Sequence, residues 1–473
     1  MARPEYEALY GGAAGGGKSD ALVIEALRQV KKPHYKALIL RKTYPQLREL
    51  VDKTLNYYPR AFPDARYNAS THTWHFGSGA KIIFGAMQYT RDRVKYQGQA
   101  FDFIAFDELT HFSWDEYSYL FSRNRPNGPG TRCYIRATAN PGGVGHGWVK
   151  ERFITAAPPL TPIEEAVSWH TPDGRQVHRV QKRIFVPSSV FDNPALLGHD
   201  PNYIQRLAAL PEAERKALLY GDWDSFSGQV FTEWRNDPDR YGDRVGTHVI
   251  SPFRIPKSWR ILRGFDWGYT RPFSVGWYAV DHDGRLYRIR ELYGCRADSS
   301  GRPIPNVGVC KNADEIARMI RRVEAEDPNL MGRSIRGVAD PAIYQRNGGA
   351  SIGELMEREG VYWDKADNTR LAGKAQLHNR LAFDGQGIPM LYVFSTCRHF
   401  IRTVPALVYS QVDVEDVNTE GEDHIYDECR YVCMENPCAP PVPASVGEWR
   451  EDPLDLHGGE VMGYAPYAGK MWR

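Results

Sequence analysis

The sequence has no apolar run that approaches the ~18 to 20 uncharged residues needed to cross a membrane. Its first residues, Met1 to Glu5, lack the apolar core of a signal peptide. The seven cysteines, an odd number scattered over 473 residues, do not have the density of a disulfide framework. We therefore expect a cytoplasmic globular protein that has no membrane partner.

Composition and charge indicate a globular protein of more than one domain. Hydrophobic residues make up 42% of the chain and charged residues 25%, and 473 residues exceed one ordinary core. The net charge of +2 conceals +8 in residues 1–221 and −6 in residues 222–473. A basic first half is compatible with a polyanionic partner such as DNA, although a solvated surface alone can carry this much charge.

The first half alternates apolar strands with helical stretches, which predicts a mainly parallel sheet covered by helices. We predict a first domain at residues 1–221 and a linker at 222–256, where Asp, Gly, Pro and Arg are dense. The predicted strands are 37–40, 81–84, 101–106 and 133–137, with a hairpin at 74–84 and an inserted hairpin or loop at 155–185.

The second half begins with three strands that we expect to be antiparallel, and helices then alternate with strands. This order is typical of a ribonuclease-H-like sheet, so we predict a second domain at 257–436 and a poorly ordered tail at 437–473. The predicted strands are 261–265, 274–280, 285–292, 335–339 and 388–394, and the predicted helices are 313–324, 352–359, 374–383, 398–407 and 425–435.

A glycine-rich segment fits the phosphate-loop (P-loop) pattern G-x-x-x-x-G-K-[ST] between an apolar strand and a helical stretch. Its backbone N–H groups can point at the phosphates of ATP, its lysine adds a positive charge, and its serine can ligate Mg²⁺. A loose surface loop is the alternative, but the order of strand, loop and helix favours the ATP site. The residues are Gly12, Ala13, Ala14, Gly15, Gly16, Gly17, Lys18 and Ser19.

Two acids, Asp107 and Glu108, directly follow the apolar strand that ends at Phe106. In an ATPase, Asp107 would hold Mg²⁺ and Glu108 would orient the attacking water. An acidic turn after a buried strand is the alternative interpretation. The phosphate loop earlier in the chain favours the catalytic one, so these residues predict ATP hydrolysis.

Three carboxylates occupy positions where a ribonuclease-H-like fold could gather them. Asp266 and Asp340 end predicted strands, and Asp427 begins the last predicted helix. Such a cluster repels itself unless divalent cations neutralise it, and two ions ~3.5 to 4 Å apart can cleave a phosphodiester. We expect Mg²⁺ or Mn²⁺ here. An ordinary solvated carboxylate is the alternative, above all for Asp427, and Asp423 is the substitute or an additional ligand.

Other residues near Asp427 allow further interpretations. Glu422 and Glu428 are expected to face water. A zinc site would need His424 together with cysteines 429, 433 and 438, but buried apolar cysteines are the commoner outcome, and zinc sites usually use tighter cysteine pairs.

Taken together, these motifs resemble the large terminase subunit of tailed bacteriophages, an ATP-driven DNA-packaging motor fused to a nuclease. The resemblance covers most of residues 8–436, and its motifs are specific as an ordered set. It includes Leu40-Arg41-Lys42-Thr43, Gln97-Gly98-Gln99-Ala100-Phe101-Asp102, Ala137-Thr138-Ala139-Asn140-Pro141-Gly142-Gly143, Asp192-Asn193-Pro194, Gly221-Asp222-Trp223-Asp224 and Gly264-Phe265-Asp266-Trp267-Gly268.

The resemblance implies an α/β chain with an N-terminal phosphate-loop ATPase of the ASCE type and a C-terminal ribonuclease-H-like nuclease. It implies that Thr138 and Asn140 form a coupling motif that senses the γ-phosphate, whereas a plain turn is the alternative. It also implies double-stranded DNA, a portal protein, a small terminase subunit and a procapsid as partners. A homo-oligomeric ring would assemble in the host cytoplasm and dock transiently on the procapsid.

One departure concerns the phosphate loop, which has no arginine although many members of the family carry one there. Phosphoryl transfer from ATP usually requires an extra cation at the transition state. We expect a neighbouring subunit to supply it, and the alternative for each candidate is a surface or DNA-contacting arginine. The candidates are Arg91, Arg93, Arg123 and Arg125.

Two other functions fit parts of the same pattern. A helicase or repair nuclease could use the same ATPase core, and it would unwind a duplex. An adaptor protein with decayed sites is the other alternative, and the intact set of motif residues argues against it.

Overall fold

The computed structural model describes residues 2–226, 228–298, 301–346, 348–410, 413 and 415–439. These residues form a nine-stranded sheet, a seven-stranded sheet and a two-stranded ribbon. Most of the predicted tail, from residue 440 onward, lies outside the described residues. Within them, no helix combines the length and the apolar character that a bilayer crossing demands.

The nine-stranded sheet comes from the N-terminal half. Its strands are β1 (Glu7–Gly12), β2 (Lys36–Arg41), β3 (Arg66–Asn68), β4 (Thr73–His75), β5 (Lys81–Ala86), β6 (Phe103–Phe106), β7 (Tyr134–Ala139), β8 (Ile163–His170) and β9 (Gln176–Ser188). The helices of this half are α1 (Lys18–Glu25), α2 (Tyr44–Ala61), α3 (Trp114–Tyr119), α4 (His146–Val149), α5 (Pro194–His199), α6 (Tyr203–Ala208) and α7 (Glu212–Tyr220).

The strand order is β3-β4-β5-β2-β6-β7-β1-β9-β8. The strands from β5 to β9 in this order run parallel, and β3, β4 and β8 add antiparallel pairs at the two edges. The predicted mainly parallel sheet is therefore confirmed. Because β7 lies between β1 and β6, the sheet has the ASCE arrangement. The ends of β1, β2, β6 and β7 meet at one edge, where α/β proteins bind ligands.

The central strands are apolar on both faces. In β2, Leu38 and Leu40 belong to one hydrophobic cluster, whereas Ala37 and Ile39 belong to the cluster on the opposite face. Successive side chains of a strand point to opposite faces of the sheet. When both faces are buried, a parallel strand therefore appears in the sequence as a continuous apolar run. This continuity explains why the sequence predicts these strands well.

The seven-stranded sheet and the ribbon come from the C-terminal half. The strands are β10 (Val249–Ile250), β11 (Arg260–Asp266), β12 (Ser274–Val280), β13 (Leu286–Tyr293), β14 (Cys295–Ala297), β15 (Pro303–Gly308), β16 (Ile335–Ala339), β17 (Asp364–Lys365) and β18 (Leu391–Phe394). The helices are α8 (Ala313–Glu326), α9 (Ile352–Arg358), α10 (Arg370–Leu381), α11 (Arg398–Thr403) and α12 (His424–Glu435).

The order of this sheet is β10-β18-β13-β12-β11-β16-β17. Strands β11, β12 and β13 are antiparallel neighbours, and β16 and β17 continue the sheet in parallel beside β11. A meander of three strands followed by two parallel strands beside the first is the ribonuclease-H-like topology. The predicted fold class is confirmed in both halves.

Part of the segment predicted as a linker packs with the second sheet. Val230, Phe231 and Trp234 belong to the hydrophobic core of the C-terminal half. Strand β10 also lies in this segment and pairs in parallel with β18. The sequence of this segment shows no helical or strand periodicity, because the segment folds as loops and one two-residue strand.

Candidate active sites

The phosphate-loop residues form a tight turn between β1 and α1. Gly12, Gly15 and Gly17 have φ angles of 117°, 74° and 72°, a region that side-chain-bearing residues rarely adopt. A Cβ atom on Gly16 would lie 1.9 Å from Ser188 Oγ. The loop therefore requires glycine at several positions, as the motif predicts.

Lys18 lies inside this turn with a relative exposure of 7%. Its Nζ donates a hydrogen bond to Ala13 O at 2.5 Å, so the side chain folds back over the loop. Burial lowers the pKa of Lys18, while the nearby charges of Glu108 and Asp107 oppose that shift. The lysine is thus enclosed close to both acids.

Asp107 is fully buried at the end of β6 and is bonded on both carboxylate oxygens. Ser19 Oγ donates to its Oδ1 at 3.1 Å, and the Thr138 hydroxyl donates to the same oxygen. Arg41 Nε donates to Oδ2 at 2.6 Å. Residues from the phosphate loop and from the ends of β2 and β7 therefore converge on one carboxylate.

Glu108 is held in an unusual backbone conformation, with φ at 58°. Its N–H donates to Thr138 Oγ1 at 3.2 Å, and its carboxylate accepts bonds from Asn140 N and Asn140 Nδ2, each at 3.3 Å. The end of β7 thus positions both acids.

Ser19 and Asp107 offer adjacent hydroxyl and carboxylate oxygens, the hard donors that suit Mg²⁺. Two buried polar atoms, Asn140 Oδ1 beside Glu108 and Ser188 Oγ beside Gly16, have no hydrogen-bond partner within the described part of the chain. Buried polar atoms usually have partners, so these two suit a ligand or water that enters the site. The residues present fit a magnesium–nucleotide complex.

The four arginines expected to act on a neighbouring subunit lie at or near the surface. Arg91 and Arg125 are exposed, Arg93 lies 3.8 Å from the carboxylate of Asp115, and Arg123 lies over the ring of Tyr119. Their proposed action across a subunit boundary stays a prediction.

In the second sheet, Asp266 ends β11 and Asp340 directly follows β16. These strands are parallel neighbours with Phe265 opposite Ala339, so the two acids leave the sheet side by side. Asp427 lies in the first turn of α12. Burial raises the pKa of Asp266 to about 6, opposed by the hydrogen bond from His424, while the charges of Asp427 and Asp340 add to the increase.

Asp423 precedes α12 and belongs to the same group. Burial raises its pKa to about 7, and Asp427 and Asp266 contribute in the same direction. The charges of Asp340 and Asp427 therefore act on Asp266, and those of Asp266 and Asp427 act on Asp423, so the four acids lie near one another.

Three of these carboxylates bind a side chain of the protein. Asp266 Oδ2 accepts a bond from His424 Nδ1 at 3.2 Å, Asp340 Oδ2 from Tyr431 OH at 2.9 Å, and Asp427 Oδ1 from Arg430 Nε at 2.6 Å. Among the described residues, no group of three or more His, Cys, Asp or Glu side chains has the spacing to hold a metal ion. The carboxylates gather, but their present positions do not form a coordination site.

Comparison with known proteins gives a match in the N-terminal half. Residues 9–235 match the family model described as terminase large subunit, T4likevirus-type, N-terminal. This match assigns the N-terminal half of the chain to the large terminase subunit family. No curated protein sequence matches the chain.

Solved large terminases align with most of this chain at low sequence identity. That of bacteriophage HK97 is 9% identical, covers 91% of this chain and 90% of its own, and has a TM-score of 0.42. One from a thermophilic bacteriophage, solved with ADP, is 16% identical, covers 92% of this chain and 96% of its own, and has a TM-score of 0.35. The nuclease domain of the bacteriophage P22 protein is 16% identical and covers 44% of this chain and 92% of its own, with a TM-score of 0.32.

The expectation that Glu428 and Glu422 face water is wrong. Glu428 is fully buried and accepts bonds from Arg288 Nη1 at 2.6 Å and Ser274 Oγ at 3.2 Å. Glu422 accepts bonds from Arg402 Nη2 at 3.0 Å and Tyr293 OH at 3.2 Å. Partners distant in sequence make this burial possible, because a buried charge requires pairing.

The motif around Asp266 has a structural role that the sequence does not reveal. A Cβ atom on Gly264 would lie 2.6 Å from Glu428 Oε1, and one on Gly276 would lie 2.4 Å from the same oxygen. Glycine at these positions of β11 and β12 lets α12 approach the sheet.

Two residues in the N-terminal half were not predicted as site residues. Arg41 contacts Asp107, and Asn193 Nδ2 donates to Gly15 O at 2.7 Å. Both occur in segments that carry the family resemblance, which was the available signal. Cys429 and Cys433, considered for zinc, are buried free thiols on α12.

Proposed function

We propose that this terminase hydrolyses ATP at the first site to drive double-stranded DNA into a procapsid, and that it cuts concatemeric DNA at the second. The observation that carries the proposal is the hydrogen-bonded group at the end of the parallel strands. Its members are Ser19, Asp107, Glu108, Thr138 and Asn140.

In this proposal the loop amides of Gly15, Gly16 and Gly17 and the Lys18 ammonium bind the phosphates. Ser19 and Asp107 would hold Mg²⁺, which would supply positive charge next to the β- and γ-phosphates of bound ATP. Glu108 orients the attacking water from its position beside Asn140. Thr138 and Asn140 detect the loss of the γ-phosphate, since they contact both acids.

A route from this sensor to the C-terminal half follows the chain after β7. Gly142 N donates to His146 Nδ1 at 3.0 Å, and His146 Nε2 contacts Trp223 O at 3.1 Å. Trp223 lies at the start of the predicted linker, residues 222–256. A shift of Asn140 would therefore reach this junction through the polar contacts of His146, which is how we propose that hydrolysis moves DNA.

For the nuclease we assign Asp266, Asp340 and Asp427, with Asp423 as an additional carboxylate. Their oxygens suit Mg²⁺ or Mn²⁺ in chemical type. Among the described residues their spacing does not fit a bound ion, and two of them bond to His424 and Arg430. The proposal thus assigns the residues and derives no metal geometry.

We propose the ATPase domain at residues 1–221 and the nuclease domain at 257–436, joined by the segment 222–256, part of which packs with the nuclease sheet. DNA contacts would be mainly to phosphates, because a packaging motor moves along any sequence. The proposed partners are a portal protein, a small terminase subunit and a procapsid. A homo-oligomeric ring of this chain would act in the host cytoplasm while it is docked on the procapsid.

The test is ATP-dependent packaging, measured as DNA that becomes protected from added nuclease inside purified procapsids. Wild-type protein should protect DNA, and Lys18→Ala, which removes the phosphate-binding charge, should not. The exposed variant Lys31→Ala serves as the matched control. A wild-type protein that displaces strands from a duplex but protects no DNA would instead support the helicase or repair-nuclease function, which the family match does not favour.

A further inference from the structure

The side chain that binds Asp107 from the end of β2 has no role in the assignments above. We propose that Arg41 is the catalytic cation of the ATPase site in cis, held on Asp107 before nucleotide binds and transferred to the γ-phosphate afterwards. The inference rests on the proposed ATPase function, because it concerns the same site. The phosphate loop itself has no arginine. In this proposal the positive charge comes instead from the end of strand β2.

The position of Arg41 follows from the register of the sheet. Leu40 of β2 lies opposite Phe106 of β6, so the next residues, Arg41 and Asp107, leave adjacent strands together. Arg41 Nε lies 2.6 Å and Nη2 2.5 Å from Asp107 Oδ2. The arginine side chain is 14% exposed and the aspartate is fully buried. Two short, charge-assisted contacts that are shielded from solvent make a strong ion pair.

The same carboxylate is the proposed ligand of Mg²⁺. Its Oδ1 already accepts a bond from Ser19 Oγ at 3.1 Å, which marks the side from which the nucleotide complex approaches. A divalent cation and a guanidinium on one carboxylate repel each other. We therefore expect Arg41 to leave Oδ2, at least in part, when the metal–nucleotide complex binds.

The γ-phosphate is the natural destination for the displaced guanidinium. It would lie beside Ser19 and Lys18, and arginine binds phosphate with two parallel hydrogen bonds. The neighbouring cation, Lys42, is already committed, because its Nζ contacts both oxygens of the buried Glu116 at 2.8 and 2.9 Å. Arg41 is therefore the better placed of these two neighbouring cations.

In the reaction, the oxygen of water bonds to the γ-phosphorus, and the bond from phosphorus to the bridging oxygen breaks. Its electron pair stays on ADP, and the proton of the water passes to Glu108 and then to solvent or phosphate. Arg41 would stabilise the charge on the γ-phosphoryl oxygens as these bonds change. Its departure from Asp107 would also free that carboxylate for the metal.

The test compares full-length Arg41→Gln and Arg41→Lys with wild type and with Arg48→Gln, an exposed arginine on α2. One measurement is steady-state ATP hydrolysis. The other is binding of a fluorescent, non-hydrolysable ATP analogue over a series of Mg²⁺ concentrations. Thermal unfolding checks that every variant is folded.

We expect Arg41→Gln to lower kcat by about 100-fold or more, since arginine cations in such sites contribute about 10³ to 10⁵. The Mg²⁺ concentration for half-maximal analogue binding should fall several-fold, because the competing charge is gone. Arg41→Lys should regain part of kcat and return the Mg²⁺ dependence towards wild type. Arg48→Gln should match wild type in both measurements.

A role limited to holding Asp107 in place predicts a different result. In that case Arg41→Gln would raise the Mg²⁺ requirement together with the loss of kcat, and this outcome would overturn the inference. Unchanged kcat in Arg41→Gln would also overturn it while leaving the proposed ATPase intact. If wild-type protein neither binds the analogue nor hydrolyses ATP, the proposed function fails and the inference with it.

Discussion

Glu428 and Arg288 form a fully buried ion pair beneath α12, with Nη1 and Oε2 2.6 Å apart. The arginine comes from β13 and the glutamate from the helix that also carries Asp427. The pair therefore ties α12, which carries Asp427, to the sheet whose strand β11 ends at Asp266. A buried polar contact remote from solvent thus helps to place the carboxylates proposed for DNA cleavage.

Glu428→Gln should destabilise the C-terminal half by about 3 to 5 kcal/mol, because Arg288 would keep a buried charge without its partner. The measurement is the thermal unfolding transition of that half, together with DNA cleavage. The double variant Glu428→Gln/Arg288→Met should regain much of the stability, since the unpaired charge is removed. Equal instability of the single and double variants would contradict this account.

Glu108→Gln should lower ATP turnover by about 100-fold or more, because an amide cannot accept the proton of the attacking water. Binding of an ATP analogue should change little, since the amide can still bond to Asn140. DNA cleavage should be retained. The control is Asp52→Asn, an exposed carboxylate on α2. Loss of both activities in a folded Glu108→Gln protein would show that the sites are not separate.

Asp266→Asn should reduce nicking of supercoiled plasmid by about 100-fold or more while ATP turnover remains. The reason is the loss of a carboxylate that the proposal assigns to a divalent cation, and added EDTA should abolish wild-type cleavage. Asp283→Asn removes a carboxylate that is 78% exposed and is the matched control. Normal cleavage by Asp266→Asn would remove this residue from the nuclease site.

His146 should make the N-terminal half less stable in acid. Burial, with a smaller contribution from Lys150, lowers the pKa of His146 to about 3. The unfolded value is about 6.5, so the unfolded chain binds the proton more readily. The contribution of the neutral ring to the free energy of unfolding is complete above pH about 6.5. It is lost as the pH falls towards 3, by up to about 1.4 kcal/mol per pH unit.

His146→Gln can retain the bonds to Gly142 and Trp223 without titrating. Its unfolding temperature should therefore depend less on pH than that of wild type between pH 7 and 5. The comparison is made by thermal unfolding of both proteins in parallel buffers. Curves of equal slope would show that His146 does not contribute to the pH dependence.

If Arg41 supplies the cation in cis, single alanine replacements of Arg91, Arg93, Arg123 and Arg125 should not abolish turnover in a dilute monomer. The measurement is ATP turnover per chain at increasing protein concentration. If ATP turnover per chain rises with protein concentration in the wild type but not in one of these variants, that arginine acts on a neighbouring subunit. A wild-type monomer that is inactive when dilute would favour the cation in trans.

The sequence predicts those features that depend on local patterns. The phosphate loop, the acids after β6 and the apolar strands all depend on neighbours within a few residues. The order of the second sheet could be inferred because three strands and then alternating helices restrict the possible topologies.

The contacts that the sequence does not predict join distant residues. Arg41 meets Asp107 only because of the register of β2 and β6, and Asn193 reaches Gly15 from 178 residues away. Glu428 is buried because Arg288, 140 residues earlier, neutralises it. Composition marks such acidic residues as solvated, and only the tertiary structure supplies the compensating charge.

The pairing of β10 with β18 determines where the two halves can be separated in the laboratory. A fragment that starts at residue 257 would leave the backbone of Val393 and Phe394 without its partner and would remove Phe231 and Trp234 from the core. Bare strand edges of this kind associate with one another. A nuclease fragment that starts at residue 229 should stay monodisperse during purification, whereas the shorter fragment should precipitate.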